Sequence, residues 1–506
     1  MASYPRVAAF RTAAALRQHL EHLGCPLPCD DIIQSAPASP LAQAGSPLAQ
    51  SLDLPWLGAT RTVGNRFVVQ PMEGWDAESD GCPSELTRRR WLRFALSGAK
   101  LIWGGEAVAV LPEARANPNQ LQINEHTASA LAALRAECVE AHRQRFGRAD
   151  DLVIGLQLTH SGRFSQPNVK LRPEPITAYR HPLLDAKLRL PASHQPITDA
   201  EVARIVQAFG AAAHLAQEAG FDFVDVKHCH GYLAHEFLSA VDRPGPYGGC
   251  FENRTRLLRE LIAAVRDAAP KIEIGVRLSA FDTIPFVKDP ETGVGRAVSF
   301  TGPYRWAFGA DVNDPLRPDL TEATALLKLL AALGVHLVNI TGSSPYYAPH
   351  VQRPALFPPS DGYLPPEDPL VGVARMLGAA RALKAAVPDT VQVSTGWTYL
   401  QNYLPHVAQA AIREGWTDFV GLGRMMLSYP DLPADVLEHG RLEAKHICRT
   451  FSDCTTGPRH GLISGCYPLD AFYKARPEAA VVKEVKAVKA VSLQQVPQPA
   501  AEGAIS

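Results

Sequence analysis

FDFVDVKHCHGYLAHEFLSAVDRPGPYGGCFENRTRLLRELIAAVR, residues 221–266, carries the reading of the fold. Its apolar run FVDV (223–226) has the composition of a buried strand, and Lys227, His228, His230 and Tyr232 crowd the end of that run. The turn Tyr247-Gly248-Gly249 then leads into a basic amphipathic helix. A purely structural strand end needs no such set of titratable groups, whereas α/β barrels place their chemistry at the carboxyl ends of buried parallel strands.

Working outward, strand-like apolar runs recur at 66–72, 101–110, 152–160, 223–229, 273–279, 337–341, 391–395 and 419–424, most of them followed by a helical pattern. Near-continuous apolar strands alternating with helices indicate a parallel sheet covered on its outer face. Ser84 reads as the cap of a helix running to Gly98, with Glu85 in its first turn. Thr198 and Glu201 form a capping-box pattern for a helix that ends near Gly220. The fold class expected is α/β: a (β/α)8 TIM barrel with long loops on its carboxyl face, an N-terminal helical extension and a disordered C-terminal tail. Plain barrels run to about 250 residues, so the excess goes to the insertions 161–197, 281–320 and 342–368, which all follow strands. The domain boundaries expected are 1–52 (extension and linker), 53–440 (barrel), 441–480 (Cys-containing segment packed on the barrel) and 481–506 (tail).

Composition narrows the function classes. A net charge of −1 over 506 residues favours neither nucleic acid nor an anionic membrane as partner. No apolar run is long enough to span a bilayer, and the first twenty residues lack a signal-peptide core. The expected location is the cytoplasm. Nine cysteines, an odd number in a long chain, point to free thiols or metal ligands and away from a disulfide framework.

Several spaced pieces resemble the old yellow enzyme family of FMN-dependent oxidoreductases: His230-Gly231-Tyr232-Leu233, Phe237-Leu238, Tyr247-Gly248-Gly249 and Glu252-Asn253-Arg254, in that order. The resemblance covers about 56–475 and implies a small hairpin at 53–66 closing the barrel floor. It also implies an FMN site. Pro71-Met72 and Ala107 would lie against the ring, the Gln157 amide would meet the pyrimidine edge, and Arg277 would place a cation near the N1–O2 side, where it favours the anionic reduced flavin. Gly396, Gly423 and Arg424, after the seventh and eighth strands, would form the phosphate end, where barrels often bind phosphate.

On the reacting face, the family holds the substrate's electron-withdrawing oxygen with two side chains of the fourth strand. Here those positions are His230 and Lys227. Lysine departs from the usual His or neutral residue, and an ammonium would favour a carbonyl, nitro or anionic group. The alternative for Lys227 is an idle salt bridge to Asp225, Asp282 or Glu106. His228 and Cys229 read as packing residues. Tyr232, with an ordinary pKa of about 10, is protonated at neutral pH and suits the role of proton donor.

CRTFSDCTTGPRHGLISGC contains Cys448, Cys454 and Cys466. Larger members of the resembled family, such as trimethylamine dehydrogenase and dienoyl-CoA reductase, hold a [4Fe–4S] cluster with four cysteines at matching spacings. The second position here is Phe451. Three readings stand open: a cluster that is completed by Asp453 or Ser452 or is site-differentiated, zinc completed by His446 or His460, or three plain thiols. No G-x-G-x-x-G loop follows in the 40 residues after Cys466. A cluster would therefore call for an electron-transfer protein as partner, and without one the nicotinamide must reach FMN directly.

The activity expected is NAD(P)H-driven hydride transfer through FMN to an activated C=C of a small, carbonyl-bearing or anionic substrate, with Tyr232 as proton donor. Three rivals remain. One is an amine dehydrogenase or demethylase on the same fold, using Tyr346, Tyr347 and Trp397 as an aromatic surface. Another is a flavin-free Schiff-base lyase built on Lys227. The third is a non-catalytic FMN or metal scaffold.

Overall fold

A computed structural model describes residues 4–36, 45–56 and 59–494. All eight strand-like runs are strands: β1 (Phe67–Val69), β2 (Leu101–Ile102, resuming at Ala107–Ala109), β3 (Val153–Thr159), β4 (Phe223–Val226), β5 (Glu273–Ser279), β6 (Leu337–Thr341), β7 (Val391–Ser394) and β8 (Phe419–Leu422). They pair in parallel in sequence order, and β8 returns to β1, so the sheet closes as a (β/α)8 TIM barrel. Closure leaves no free edge, which is what keeps so long a parallel sheet monodisperse in its pairing.

β2 is interrupted because Gly104 and Gly105 both adopt positive φ, 121° and 55°. A Cβ on Gly105 would sit 2.5 Å from the Trp91 ring, so no larger residue fits. The kink turns Glu106 toward Met72, with which it forms an isolated parallel bridge.

Strand alternation splits the barrel interior into two levels. At the floor, Val68, Leu101, Trp103, Val153, Phe223, Leu337, Val393 and Phe419 form a separate apolar cluster with Leu54 and Val63. The last two belong to the hairpin Leu52–Trp56/Ala59–Val63, which plugs the amino end as expected. Trp103 and Phe223 meet edge-to-face at 5.1 Å. Further along several of the strands the interior turns polar. Gln70 and Asn339 exchange amide hydrogen bonds (3.1 and 2.7 Å), and Asp225 accepts from Gln157 Nε2 and from the Arg277 N–H, both at 2.6 Å. Every one of these polar groups finds a partner, which is the condition for burying them. An oily plug below a hydrogen-bonded platform leaves the carboxyl rim as the place for chemistry.

The outer helices follow their sequence signals. Thr198 and Glu201 make both hydrogen bonds of a capping box on Asp199–Glu218, and Val202, Ile205, Phe209, Ala212, Ala213 and Ala216 face inward. Ser84 caps Glu85–Ala95 through the Thr87 N–H. The N-terminal extension packs on the barrel's outside, with Asp30 paired to Arg413 and Tyr403 donating to the Phe10 carbonyl. The linker residues 37–44 lie outside the described residues.

The segment after residue 440 is pinned to the helix Glu85–Ala95. Arg89 and Arg93 both bind Asp470, and buried Arg90 holds Asp76, Glu106 and the Ser464 carbonyl. The tail expected to be disordered from 481 divides in two. Glu478–Gln494 is a helix whose Val482 is buried with Tyr467 and Tyr473, and residues 495–506 lie outside the described residues. No helix among the described residues is long and apolar enough to cross a membrane.

Candidate active site

A cavity of about 240 Å³ opens at the carboxyl rim. Just past the end of β1 come Gln70, Pro71, Met72, Glu73 and Trp75. Lys227 and His230 follow β4, Arg277 comes from β5, Gly396 follows β7, and Gly423 and Arg424 follow β8. The β6–β7 connection adds Tyr346, Gln352 and Arg353, and the C-terminal segment adds Cys454, Thr455, Arg459 and Ser464. Of the residues expected to form a site, Ala107, Gln157, Tyr232, Cys448 and Cys466 stand behind this lining. Ala107 N–H donates to the Met72 carbonyl at 3.2 Å, and Gln157 is turned to Asp225.

One wall is a closed polar network. Glu73 Oε1 accepts from Lys227 Nζ at 2.6 Å and from the Tyr232 hydroxyl at 2.9 Å, and Glu73 Oε2 accepts from Trp75 Nε1 at 3.1 Å. The partner of Lys227 is thus Glu73. The three carboxylates named from sequence are otherwise engaged: Asp225 as above, Asp282 with Ser343 Oγ at 2.7 Å, and Glu106 with Arg90. Lys227 Nζ also lies 3.9 Å from the Tyr232 ring centroid. Tyr232 is 1% exposed, and burial, then Glu73, push its pKa well above 10. Its hydroxyl is 2.9 Å from that of Tyr346, whose ring stacks on Phe164 at 4.0 Å. Trp75 holds φ 58°, a left-handed conformation that costs a bulky residue about 1–3 kcal/mol and is typically retained at functional sites.

His230 also has positive φ, 66°, and the next residue must be Gly231, since a Cβ there would meet the Tyr347 ring at 2.8 Å. Two hydroxyls hold the His230 backbone: its N–H donates to Ser279 Oγ (3.0 Å) and its carbonyl accepts from Ser344 Oγ (2.7 Å). Burial, then the charges of Arg277 and Lys227, push its pKa well below 6.5. The neutral ring accepts from the Gln352 amide through Nε2 at 3.2 Å. His228 is buried with Nδ1 3.2 Å from the Val226 carbonyl, away from the cavity.

The other wall is cationic and open. Arg277 Nη1 donates to the Pro71 carbonyl (3.0 Å), Arg424 Nη2 to the Pro354 carbonyl (3.1 Å) and Arg353 Nη1 to Thr455 Oγ1 (2.6 Å). Buried Arg277 Nε, Arg424 Nη1 and Arg353 Nη2 have no partner among the described residues. Burial, then the neighbouring Arg459 and Arg424, push Arg353 down to about 9, the mark of a cation short of its anion. A Cβ on Gly423 would meet nothing within 4 Å, so a ligand can approach that backbone closely. Orphaned guanidinium donors beside open glycine backbone suit a phosphate monoester, and Arg277 with the platform amides suits a polar heterocycle. These are the demands of FMN.

Several of the contributing residues were not singled out from the sequence, Glu73, Arg353 and Arg459 among them. Glu73 follows Pro71-Met72 directly, and its position at a strand end could have marked it. Arg353 lies in an irregular loop and Arg459 ends the short helix Asp453–Arg459, and only the tertiary fold brings them together.

Residues 57–294 match the model of the NADH:flavin oxidoreductase / NADH oxidase family. The NADPH dehydrogenase of Bacillus velezensis is 33% identical over 238 residues, 46% of this chain and 65% of that protein, so the match spans less than two thirds of the relative. A 2-naphthoyl-CoA reductase in complex with 2-naphthoyl-CoA superposes with a TM-score of 0.59 at 18% identity, covering 84% of this chain and 57% of that one. The histamine dehydrogenase of Rhizobium sp. 4-9 gives 0.59 at 19% identity, with 84% and 52% covered. At such identities these two likenesses speak to the fold. The similarity to the NADH:flavin oxidoreductase / NADH oxidase family thus covers residues 57–294, the part of the chain that holds β1 to β5.

Proposed function

We propose that this chain is an FMN-dependent NAD(P)H oxidoreductase that reduces an activated C=C of a small substrate. The observation that carries the reading is a single cavity with two unlike walls. One holds unpartnered arginine donors beside open glycine backbone, and the other holds a hydroxyl–carboxylate–ammonium network. Bound FMN would supply hydride chemistry, accepting a hydride from NAD(P)H and giving it to one alkene carbon.

The chain's own residues do the rest. Arg424 and Arg353 hold the phosphate, with Gly423 leaving room for it and Gly396 at the same rim, and Arg277 sets a positive charge beside the ring. Pro71, Met72 and Ala107 shape the ring's bed, and Gln157 steadies it through Asp225. His230, a neutral ring fixed by two hydroxyls, and Lys227 face the electron-withdrawing group. The proton for the second alkene carbon comes from Tyr232, relayed by Tyr346, which lines the cavity in front of it. Tyr232 keeps its proton until substrate draws on it, because burial and Glu73 disfavour the tyrosinate. The Lys227 ammonium above its ring then offsets the charge that develops.

Glu73 also favours a second reading. By neutralising Lys227 at 2.6 Å it removes the main objection to a cationic substrate, and its carboxylate with Trp75 and Tyr346 would suit an amine. The same ion pair weighs against a Schiff-base lyase, which needs Lys227 as a free neutral amine. The deciding experiment is the visible spectrum of freshly purified, anaerobic protein before and after NADH and NADPH. Twin flavin bands that bleach support the oxidoreductase. A colourless protein that takes up no FMN sinks it. Re-oxidation by an enone but not by an amine's imine product ranks the first reading above the second.

A further inference from the structure

We infer that Cys448–Cys466 serves as a wall of the cavity and holds no iron–sulfur cluster, so that electrons reach the cavity as hydride from NAD(P)H bound there directly. Four cysteine thiolates are the usual ligand set of a four-iron cluster. Cys448, Cys454 and Cys466 converge: Cys466 feels the charge of both other sulfurs, and Cys454 reaches the cavity lining. A fourth donor is the missing part. Cys448 and Cys454 flank Phe451 with two residues on either side, and Phe451 is no ligand. Its ring packs on Phe357 at 5.6 Å, with Lys486 Nζ 5.7 Å from the ring centroid and 3.4 Å from its carbonyl oxygen.

Each substitute donor is committed elsewhere. Asp453 is paired with Lys486, Ser452 Oγ donates to the Thr450 carbonyl at 3.4 Å, and His460 Nε2 bonds Ser360 Oγ at 2.8 Å. His446 lies against the Tyr429 ring at 5.7 Å. Among the described residues, the one set of three or more His, Cys, Asp or Glu whose ligand atoms lie within 4.8 Å of one another is Asp80, Cys82 and His126, on outer loops. The three thiols are therefore not drawn together as the ligands of a single zinc ion either.

The segment has other work. Thr455 holds Arg353 at 2.6 Å, Arg459 reaches the Pro345 carbonyl at 3.1 Å, and the Ser464 N–H binds Asp76 at 2.8 Å. These contacts fix the cationic end of the cavity and tie the segment to β1's outgoing loop. The helix Glu478–Gln494 supplies Lys486 and thereby closes the corner from outside. Without a one-electron relay, both electrons must enter together: NAD(P)H loses a hydride and leaves as NAD(P)+, and the substrate gains that hydride and one proton.

The test is anaerobic reconstitution of the full chain with ferrous iron and sulfide, scored as iron and acid-labile sulfide per chain, with FMN content measured separately. Wild type is expected to retain less than about one iron, and Phe451→Cys, which completes the set of four thiols, about four, with a broad visible absorption. Phe451→Ala, which removes the ring without adding a thiol, should stay iron-free. Wild-type protein carrying iron and sulfide in excess of one per chain overturns the proposal. So does a Phe451→Cys protein that keeps its fold by circular dichroism yet takes up no iron, because residue 451 is then not the missing corner. The donor set alone carries the loss of the cluster, so failure to bind FMN would count against the flavin reading and leave the iron result standing.

Discussion

The two walls of the cavity solve opposite electrostatic problems. Glu73, Lys227, Tyr232 and Tyr346 satisfy one another, so that wall is complete before anything binds. Arg277, Arg353 and Arg424 each leave a buried nitrogen without a partner among the described residues, and Arg353 sits among other cations. Unpaired buried donors each cost about 1–3 kcal/mol. Such a cost persists where a ligand removes it. The difference separates a wall built to perform chemistry, with its groups held in place, from a wall built to capture an anion.

The largest expected effect tests the first wall. Tyr232→Phe removes the hydroxyl between Glu73 and Tyr346 and should slow flavin re-oxidation by an enone by about 10²–10⁴-fold, the usual worth of general acid catalysis. Reduction by NAD(P)H should be unchanged in stopped-flow traces. Tyr346→Phe, which removes the hydroxyl between Tyr232 and the cavity, should slow the same half-reaction by at least as much. Equal loss in both half-reactions would break the assignment. The second wall comes next. Arg424→Ala and Arg353→Ala should each weaken FMN binding by about 10–100-fold, since hydrogen bonds to charged groups contribute about 1.5–3 kcal/mol. Riboflavin, which lacks the phosphate, should bind all three proteins alike in a fluorescence titration. An unequal loss for riboflavin would show that the arginines support the fold instead.

The same contrast marks what the sequence could reveal. The eight strands were legible because buried parallel strands are apolar runs, and the caps at Ser84 and Thr198 because their hydrogen bonds are local. Strand-end residues such as Lys227, His230, Arg277 and Arg424 were legible because a barrel fixes where strand ends point. Their partners were not. Glu73 and Lys227 are 154 residues apart, and nothing local to either names the other. Arg353 and Arg459 become a site only when an irregular loop and a C-terminal helix meet. Ala107 and Gln157 show the converse. Both were expected at the flavin ring; they pair opposite each other on β2 and β3 and stand behind the lining. The end of the chain, read as disordered from about Val481 because it lacks aromatics, starts inside the helix Glu478–Gln494. One buried valine, Val482, over a tyrosine pair was enough to dock the helix.

A double-mutant cycle sharpens the first wall further. Glu73→Gln leaves the Lys227 ammonium buried and unpaired and should lower stability by about 1–3 kcal/mol, less than for a fully buried pair because Glu73 keeps some contact with solvent. Lys227→Met alone should cost less. The double variant should recover much of the loss in denaturant melts. Additive losses would mean that the two residues are coupled weakly despite their 2.6 Å contact.

The smallest effect concerns protons that should not move. His230 is pushed well below 6.5 by burial, then by Arg277 and Lys227, so it stays neutral through the physiological range. The re-oxidation rate should therefore show no step near pH 6.5 attributable to it, and His230→Asn, which keeps a neutral polar group, should leave the pH profile's shape unchanged. Stability follows the same sign. His228 and His235, pushed down to about 4 and about 3 by burial, are neutral when folded but titrate near 6.5 when unfolded. Between those values the unfolded chain binds more protons, so this contribution is full above about pH 6.5 and is lost as the pH falls toward 4. Melting temperatures measured from pH 7 down to 4 should decline over that window. A His228→Gln variant should flatten the decline without altering the rate at pH 7, because its ring bonds the Val226 carbonyl behind the wall and never reaches the cavity. A rate that changed with that substitution would place His228 in the chemistry and end the distinction between strand faces on which the whole site rests.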